Sequence, residues 1–285
     1  MLLDESWRTW VIHNKSRGCT PESMIEMMVD AGFGSDEAKV ALETTVADHG
    51  DMRGVEAAMP VRKHGEYQYD ACPIADGNVI DAADRRIPVL IRCERPQIVA
   101  FGNVLDQDEC DEMIQRSMHK LEQSTTVNAE TGTQEVIRHR TSHGTWFQNG
   151  EDALIRRIET RLAALMNCPV ENGEGLQVLR YTPGGEYRSH YDYFQPTAAG
   201  SLTHVRTGGQ RVATLIVYLN DVPSGGETVF PEAGISVVPR RGDAVYFRYM
   251  NRLRQLDPAT LHAGAPVRDG EKWIMTKWVR ERPYV

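Results

Sequence analysis

The sequence predicts a mainly β fold with packed helices, preceded by a small helical N-terminal region. Three observations carry this reading. Beyond about residue 170 the apolar residues recur with period two, in GLQVLRY, RVATLIVYLND, GISVVP, DAVYFRY and KWIMTKWV. Glycine and proline turns part these runs: TPGG, VPSGG, PEAG, RRGD and RDG. Two amphipathic helices come before them, and helices followed by a run of strands pack outside an antiparallel sheet pair or jelly roll. A GxGxxG turn and a P-loop are both absent from the sequence.

The elements follow in chain order. CTPESMIEMMVDAGF offers Thr20 as an N-cap and Pro21 at the first helical position. Met24, Ile25, Met28 and Val29 then repeat at helical spacing, and Gly32 or Gly34 stops the helix. Ser35 caps a second helix, SDEAKVALETTVADHG, which Gly50 ends. The pair reads as a helical hairpin, more a structural appendage than a docking module, within an N-terminal region 1–92. Residues 51–92 give a mixed signal, with VLIR at 89–92 as a linker or an edge strand. A second domain, 93–285, opens with the strand PQIVAFGNV. In the helix LDQDECDEMIQRSMHKLEQS, Asp106 and Glu109 have the capping-box form, and Cys110, Met113, Ile114, Met118 and Leu121 share a face. In EDALIRRIETRLAALM the core face is Leu154, Ile155, Ile158, Leu162 and Leu165. TAAGSLTHVRTGGQ, at 197–210, reads as a flexible loop near an open face.

Composition narrows the function. The chain has 285 residues and a net charge of -8, which argues against nucleic-acid binding. No apolar run approaches the roughly 20 residues that span a bilayer, and MLLDESWRTW lacks the apolar segment of a secretory signal. Five scattered cysteines without a CxxC pair point to reduced thiols and a cytoplasmic location.

The chemistry gathers around RSHYDYF. His190 and Asp192 are two apart, and on an extended strand they share a face. A third ligand must come from a distant strand, and His262 in TLHAGAP is the candidate among the remaining histidines. Two histidines and one carboxylate form the facial set of non-haem iron(II) oxygenases. Lys272 follows His262 by ten residues, beside Trp273, Ile274 and Met275. It is either a lysine snorkelling from a strand end or a buried cation awaiting a carboxylate such as the far end of 2-oxoglutarate.

These residues carry a resemblance. QVLRYTPGGEYRSHYD, RVATLIVYLNDVPSGGETVFPEAG, RRGDAVYF and LHAGAPVRDGEKWIMTKWVRE resemble the catalytic domain of the 2-oxoglutarate- and iron(II)-dependent prolyl 4-hydroxylase family, in that family's order. NVLDQDECDEMI and RTSHGTWF fit as well, so the likeness runs from about residue 96 to 283. It implies a double-stranded β-helix, a form of jelly roll. It implies His190, Asp192 and His262 as iron ligands and Lys272 as partner of the cosubstrate's C5 carboxylate. Tyr181 and Thr214 are its candidates for further cosubstrate contacts. RTSHGTWF resembles a mobile substrate loop, with Arg140 and Trp146 as contacts to a peptide. The implied reaction is hydroxylation of a proline in a peptide or protein, using Fe(II), 2-oxoglutarate and dioxygen, with ascorbate as reductant and a homodimer as a candidate assembly. Hydroxylation of a free amino acid or another side chain is the first alternative, and a non-catalytic jelly-roll binding module the second. The complete set His190, Asp192, His262 and Lys272 argues against the second.

Overall fold

The computed structural model describes residues 7, 11, 21–30, 33–48, 67–127, 133–135, 140–197 and 200–284, in two compact units, Met1–Gly65 and Glu66–Val285. The expected caps at Thr20, Gly32 and Gly50 lie outside the described residues. In the first unit, helices Pro21–Asp30 and Ser35–Asp48 bury Met24, Met28, Ala38, Ala41 and Leu42 together with Val11. The first main-chain bond of the second helix runs from the Ala38 N–H to the Gly34 carbonyl, so the cap falls one residue before Ser35. Val29, expected on the apolar face, is largely exposed.

In the second unit the described residues form a nine-stranded antiparallel sheet. Its spatial order is Val79–Ala82, Arg85–Glu94, Gln97–Phe101, Ala244–Arg248, Arg211–Tyr218, Lys272–Arg280, Leu176–Tyr181, His143–Phe147 and Glu122–Gln123. A smaller sheet runs Ile235–Val237, Thr228–Phe230, His262–Gly264 and Tyr187–His190. Period two explains the large sheet. Met275, Val178 and Leu215 join one core with Ile155, Ile158 and Leu162 of the helix Ala153–Met166. Ile274, Leu179 and Ile216 fall in a second core, which takes Phe230 from the small sheet. Strand Lys272–Arg280 is therefore buried on both faces along its whole length. The sequence-predicted jelly roll is the observed architecture.

Local chemistry sets the helices. Asp106 accepts from the Glu109 N–H and Glu109 from the Asp106 N–H, completing the capping box of Gln107–Met118. That helix ends at Met118, which is half exposed and not on the apolar face as expected, while Leu121 packs against the core from beyond the helix end. Arg161 is buried between Glu109 and Asp84, at 2.6 Å from each. It ties both helices to the turn between the first two strands.

Three expectations are corrected. The N-terminal boundary falls at 65/66 rather than 92/93, because strands Val79–Ala82 and Arg85–Glu94 bury Ile80, Ala82 and Ile87 in the main core. RTSHGTWF is largely strand: His143–Phe147 pairs with Leu176–Tyr181 in the large sheet. The segment 197–210 contains the helix Ser201–Arg206 where a flexible loop was expected.

Candidate active site

The two histidines meet because their strands are neighbours. His190 ends Tyr187–His190, His262 begins His262–Gly264, and their Cα atoms are partners across the antiparallel pair. Asp192 lies in a bend just past the strand end, not on the strand as the spacing alone suggested. It still converges: His190 Nε2 is 3.5 Å from Asp192 Oδ1, and His262 Nε2 is 3.7 Å from Oδ2. One ligand atom from each residue falls within 4.8 Å of the others, the one such cluster among the described residues.

The surrounding hydrogen bonds orient this set. His190 Nδ1 lies 2.8 Å from the Arg188 carbonyl, and His262 Nδ1 lies 3.0 Å from the Thr260 carbonyl. A carbonyl only accepts, so each Nδ1 carries the proton and each Nε2 keeps its lone pair. Burial, with His190 alongside, brings His262 down to about 4, so its ring is neutral. Burial opposes the charge of Asp192, but its carboxyl is held well below the usual range by His262 and His190 whenever they are protonated, and by Arg211. Two imidazole lone pairs and an ionised carboxylate on one spot fit a divalent iron ion.

Thr214 departs from its expected role. Its hydroxyl donates to Asp192 Oδ2 at 2.7 Å and lies 3.2 Å from the Tyr249 hydroxyl, fully buried behind the carboxylate. It orients a candidate ligand and does not line the cavity that a cosubstrate would enter.

That cavity, of about 450 Å³, lies between the two sheets. Lys272 stands at one end, buried and opposite Tyr181 in the sheet register. Its Nζ is 5.6 Å from the Tyr181 ring and 5.9 Å from the Tyr218 ring, and it makes no hydrogen bond or ion pair among the described residues. Burial pulls its pKa down to about 8, partly offset by Glu227. A buried cation without an anion is costly, and an incoming carboxylate removes that cost. Burial raises the Tyr181 pKa, so this phenol keeps its proton and can donate. Thr228, not singled out by the sequence, is buried in the same wall and accepts from the Tyr218 hydroxyl at 2.8 Å. Gly226, at φ +73°, keeps the wall clear: a Cβ there would stand 3.2 Å from Lys272 Cδ.

Away from Lys272 the wall turns aromatic and basic. Arg211 grips Glu174 with two bonds, at 2.7 and 2.8 Å, and lies 4.0 Å over the Trp278 ring. Trp278 tilts against Trp146 at 5.6 Å, and its buried Nε1 has no acceptor among the described residues. Trp146 is 44% exposed, with one face free for contact. Arg140 is buried and donates to the Thr125 carbonyl, Ser142 and the Gln177 side chain, and its guanidinium sits 4.9 Å over the Tyr187 ring. Tyr187 in turn stacks on His190 at 3.6 Å, so Arg140 braces the histidine as well as lining the cavity. Sequence reasoning passed over Glu174, Arg211, Trp278 and Arg280. Counting by twos from Lys272 would have found the last two, since Ile274, Thr276, Trp278 and Arg280 all face the cavity.

Comparison with known proteins agrees with this geometry. Residues 176–280 match the family model described as the 2OG-Fe(II) oxygenase superfamily. Probable prolyl 4-hydroxylase 10 of Arabidopsis thaliana is 40% identical over 223 residues, 72% of this chain and 75% of that protein. Prolyl 4-hydroxylase 5 of the same plant is 41% identical over 202 residues, covering 64% of this chain and 68% of that protein. Among solved structures, the 2OG complex of a viral collagen prolyl hydroxylase from Paramecium Bursaria Chlorella virus-1 superposes with a TM-score of 0.51 at 31% identity, over 64% of this chain and 95% of that one. The chain is thus a 2-oxoglutarate- and iron(II)-dependent dioxygenase. It belongs to the prolyl 4-hydroxylase family.

Proposed function

We propose that this enzyme hydroxylates a proline residue within a polypeptide, with His190, Asp192 and His262 holding iron and Lys272 holding the C5 carboxylate of 2-oxoglutarate. One observation carries the polypeptide reading. Lys272 and Arg280 open and close a single strand whose cavity face is continuous, a distance of about 26 Å at the usual rise per residue. A groove of that length exceeds what a dicarboxylate and one free amino acid fill. The names of the Arabidopsis and viral relatives support the same substrate class.

When bound, iron and 2-oxoglutarate supply dioxygen activation and oxygen insertion into a C–H bond, with 2-oxoglutarate decarboxylated to succinate. The chain's own residues position the reactants. Lys272 and the Tyr181 hydroxyl fix the far carboxylate, so the keto-acid end is directed toward His190, Asp192 and His262. Thr214 keeps Asp192 aimed by donating to the oxygen nearer His262. Trp146 offers a flat face to a pyrrolidine ring, with the buried Trp278 packed against it as its support. Arg140 stands beside them as a further donor to substrate. Ascorbate is the reductant expected to maintain iron(II).

Substrate length tests the proposal. With Fe(II), 2-oxoglutarate and dioxygen, a series of blocked proline peptides should gain one oxygen atom on the ring in step with succinate. Preference for free L-proline over every peptide would contradict it.

A further inference from the structure

The helix Ser201–Arg206 has six residues, too few to hold itself in water. One buried arginine holds its end. Arg280 Nη2 donates to the carbonyls of His204 and Thr207, the latter at 2.6 Å, which are among the acceptors a helix end leaves unmatched. Nη1 donates to Glu174 Oε1 at 3.1 Å, the carboxylate that also grips Arg211. The chain then returns to the sheet through Gly208 and Gly209, at φ +71° and +78°. A Cβ on Gly208 would lie 3.2 Å from Arg280 Nε and 3.0 Å from Tyr284 Cδ2. This close cover accounts for the Nε, which is buried with no acceptor among the described residues. On its other side the helix contributes Ser201 and His204 to the cavity wall, and the His204 ring stacks on Phe194 at 5.3 Å.

We propose that Arg280 is the positioning residue that fixes the helix Ser201–Arg206 as the outer wall of the polypeptide groove, setting affinity for the polypeptide independently of the cosubstrate. This rests on the polypeptide reading above. A planar guanidinium can serve a carboxylate and two carbonyls at once, and a single ammonium cannot span them. Lys272 stands at the opposite end of the same strand, so a change at Arg280 leaves the 2-oxoglutarate end intact.

Two full-length variants test it. Arg280→Lys keeps a cation beside Glu174 but loses the double carbonyl contact. Gly208→Ala keeps every charge and strains the return of the helix. Amide exchange over 200–207 should quicken about tenfold or more in both. The KM for a proline peptide should rise about tenfold, while anaerobic 2-oxoglutarate affinity of the metal-loaded protein stays within about twofold. If one variant fails to fold, the other decides. Unchanged exchange over 200–207, or parallel losses in peptide and 2-oxoglutarate affinity, would overturn the proposal. A wild-type enzyme that converts no proline peptide would sink the polypeptide reading instead, and the exchange comparison would still decide whether Arg280 holds the helix.

Discussion

At the scale of single residues, the site is a set of charges and lone pairs whose cost is met only when ligands arrive. Lys272 makes this measurable. Its pKa of about 8 in the absence of cosubstrate means that it is fully charged below that value and discharges as pH rises through it. Affinity for 2-oxoglutarate, measured by anaerobic titration of metal-loaded protein, should therefore fall above pH 8, by up to about tenfold per pH unit. The Lys272→Met variant should lack this fall. Thr214→Val removes the donor behind Asp192 and nothing from the cavity wall, so iron affinity should drop about 10–100-fold with the fold intact. Equal iron affinity would show that Asp192 is held by other means. The cluster His190, Asp192 and His262, the proposed iron ligands, was legible because its three residue types and their order are so restrictive. The place of Thr214 was not: a strand threonine faces one sheet side or the other, and only the bend that carries Asp192 decides what its hydroxyl meets.

At the scale of elements, the histidines and the cation are each placed by strand pairing, and a glycine turn packs against the cation. Gly225 must be glycine because a Cβ would stand 2.2 Å from the Pro266 carbonyl oxygen. Gly226 is the more informative position, since its Cβ would press on Lys272 Cδ and its φ of +73° resists any side chain. Gly226→Ala should weaken 2-oxoglutarate binding with little change in iron binding, and calorimetry with each ligand separates the two. The strands Gln97–Phe101, Leu176–Tyr181, Arg211–Tyr218, Ala244–Arg248 and Lys272–Arg280 and both long helices of the second unit could be read from period and capping. The helix Ser201–Arg206 could not. Its six glycine-flanked residues hold only Leu202 and Val205 as apolar positions, too short a pattern to mark a helix, and its end is held by Arg280, far away in the chain. RTSHGTWF was misread for a related reason. Its strand lies next to the two-residue edge strand Glu122–Gln123, where alternation is weak and Trp146 stays half exposed.

At the scale of the whole molecule, the boundary between units is the point where sequence and structure part most. The stretch 79–94 is apolar enough but lacks a clean period of two, with Leu90 and Ile91 exposed side by side, so it carries little signal, yet Ile80 and Ile87 sit in the main core. A chain beginning at residue 66 should fold and bind iron and 2-oxoglutarate, whereas one beginning at residue 93 should be insoluble or lack a cooperative thermal transition. Equal stability of the two would return the boundary to 92/93. Arg161 makes a second test, because it joins both helices to that hairpin. Arg161→Ala leaves the buried Glu109 to Arg157, Arg85 and the Asp106 N–H alone and should cost about 1.5–3 kcal/mol in denaturant unfolding.

The central claim is that two sheets bring iron ligands and a cosubstrate cation into one site with separable duties. Calorimetric titration of iron(II) and then of 2-oxoglutarate, without dioxygen, into metal-free wild type, Asp192→Ala and Lys272→Ala tests it most directly. Wild type should bind one iron and one 2-oxoglutarate. Asp192→Ala should lose the iron. Lys272→Ala should keep the iron and bind 2-oxoglutarate about 10–100-fold more weakly, the worth of a charge-assisted bond. Unchanged 2-oxoglutarate affinity in Lys272→Ala, or full iron occupancy in Asp192→Ala, would contradict it.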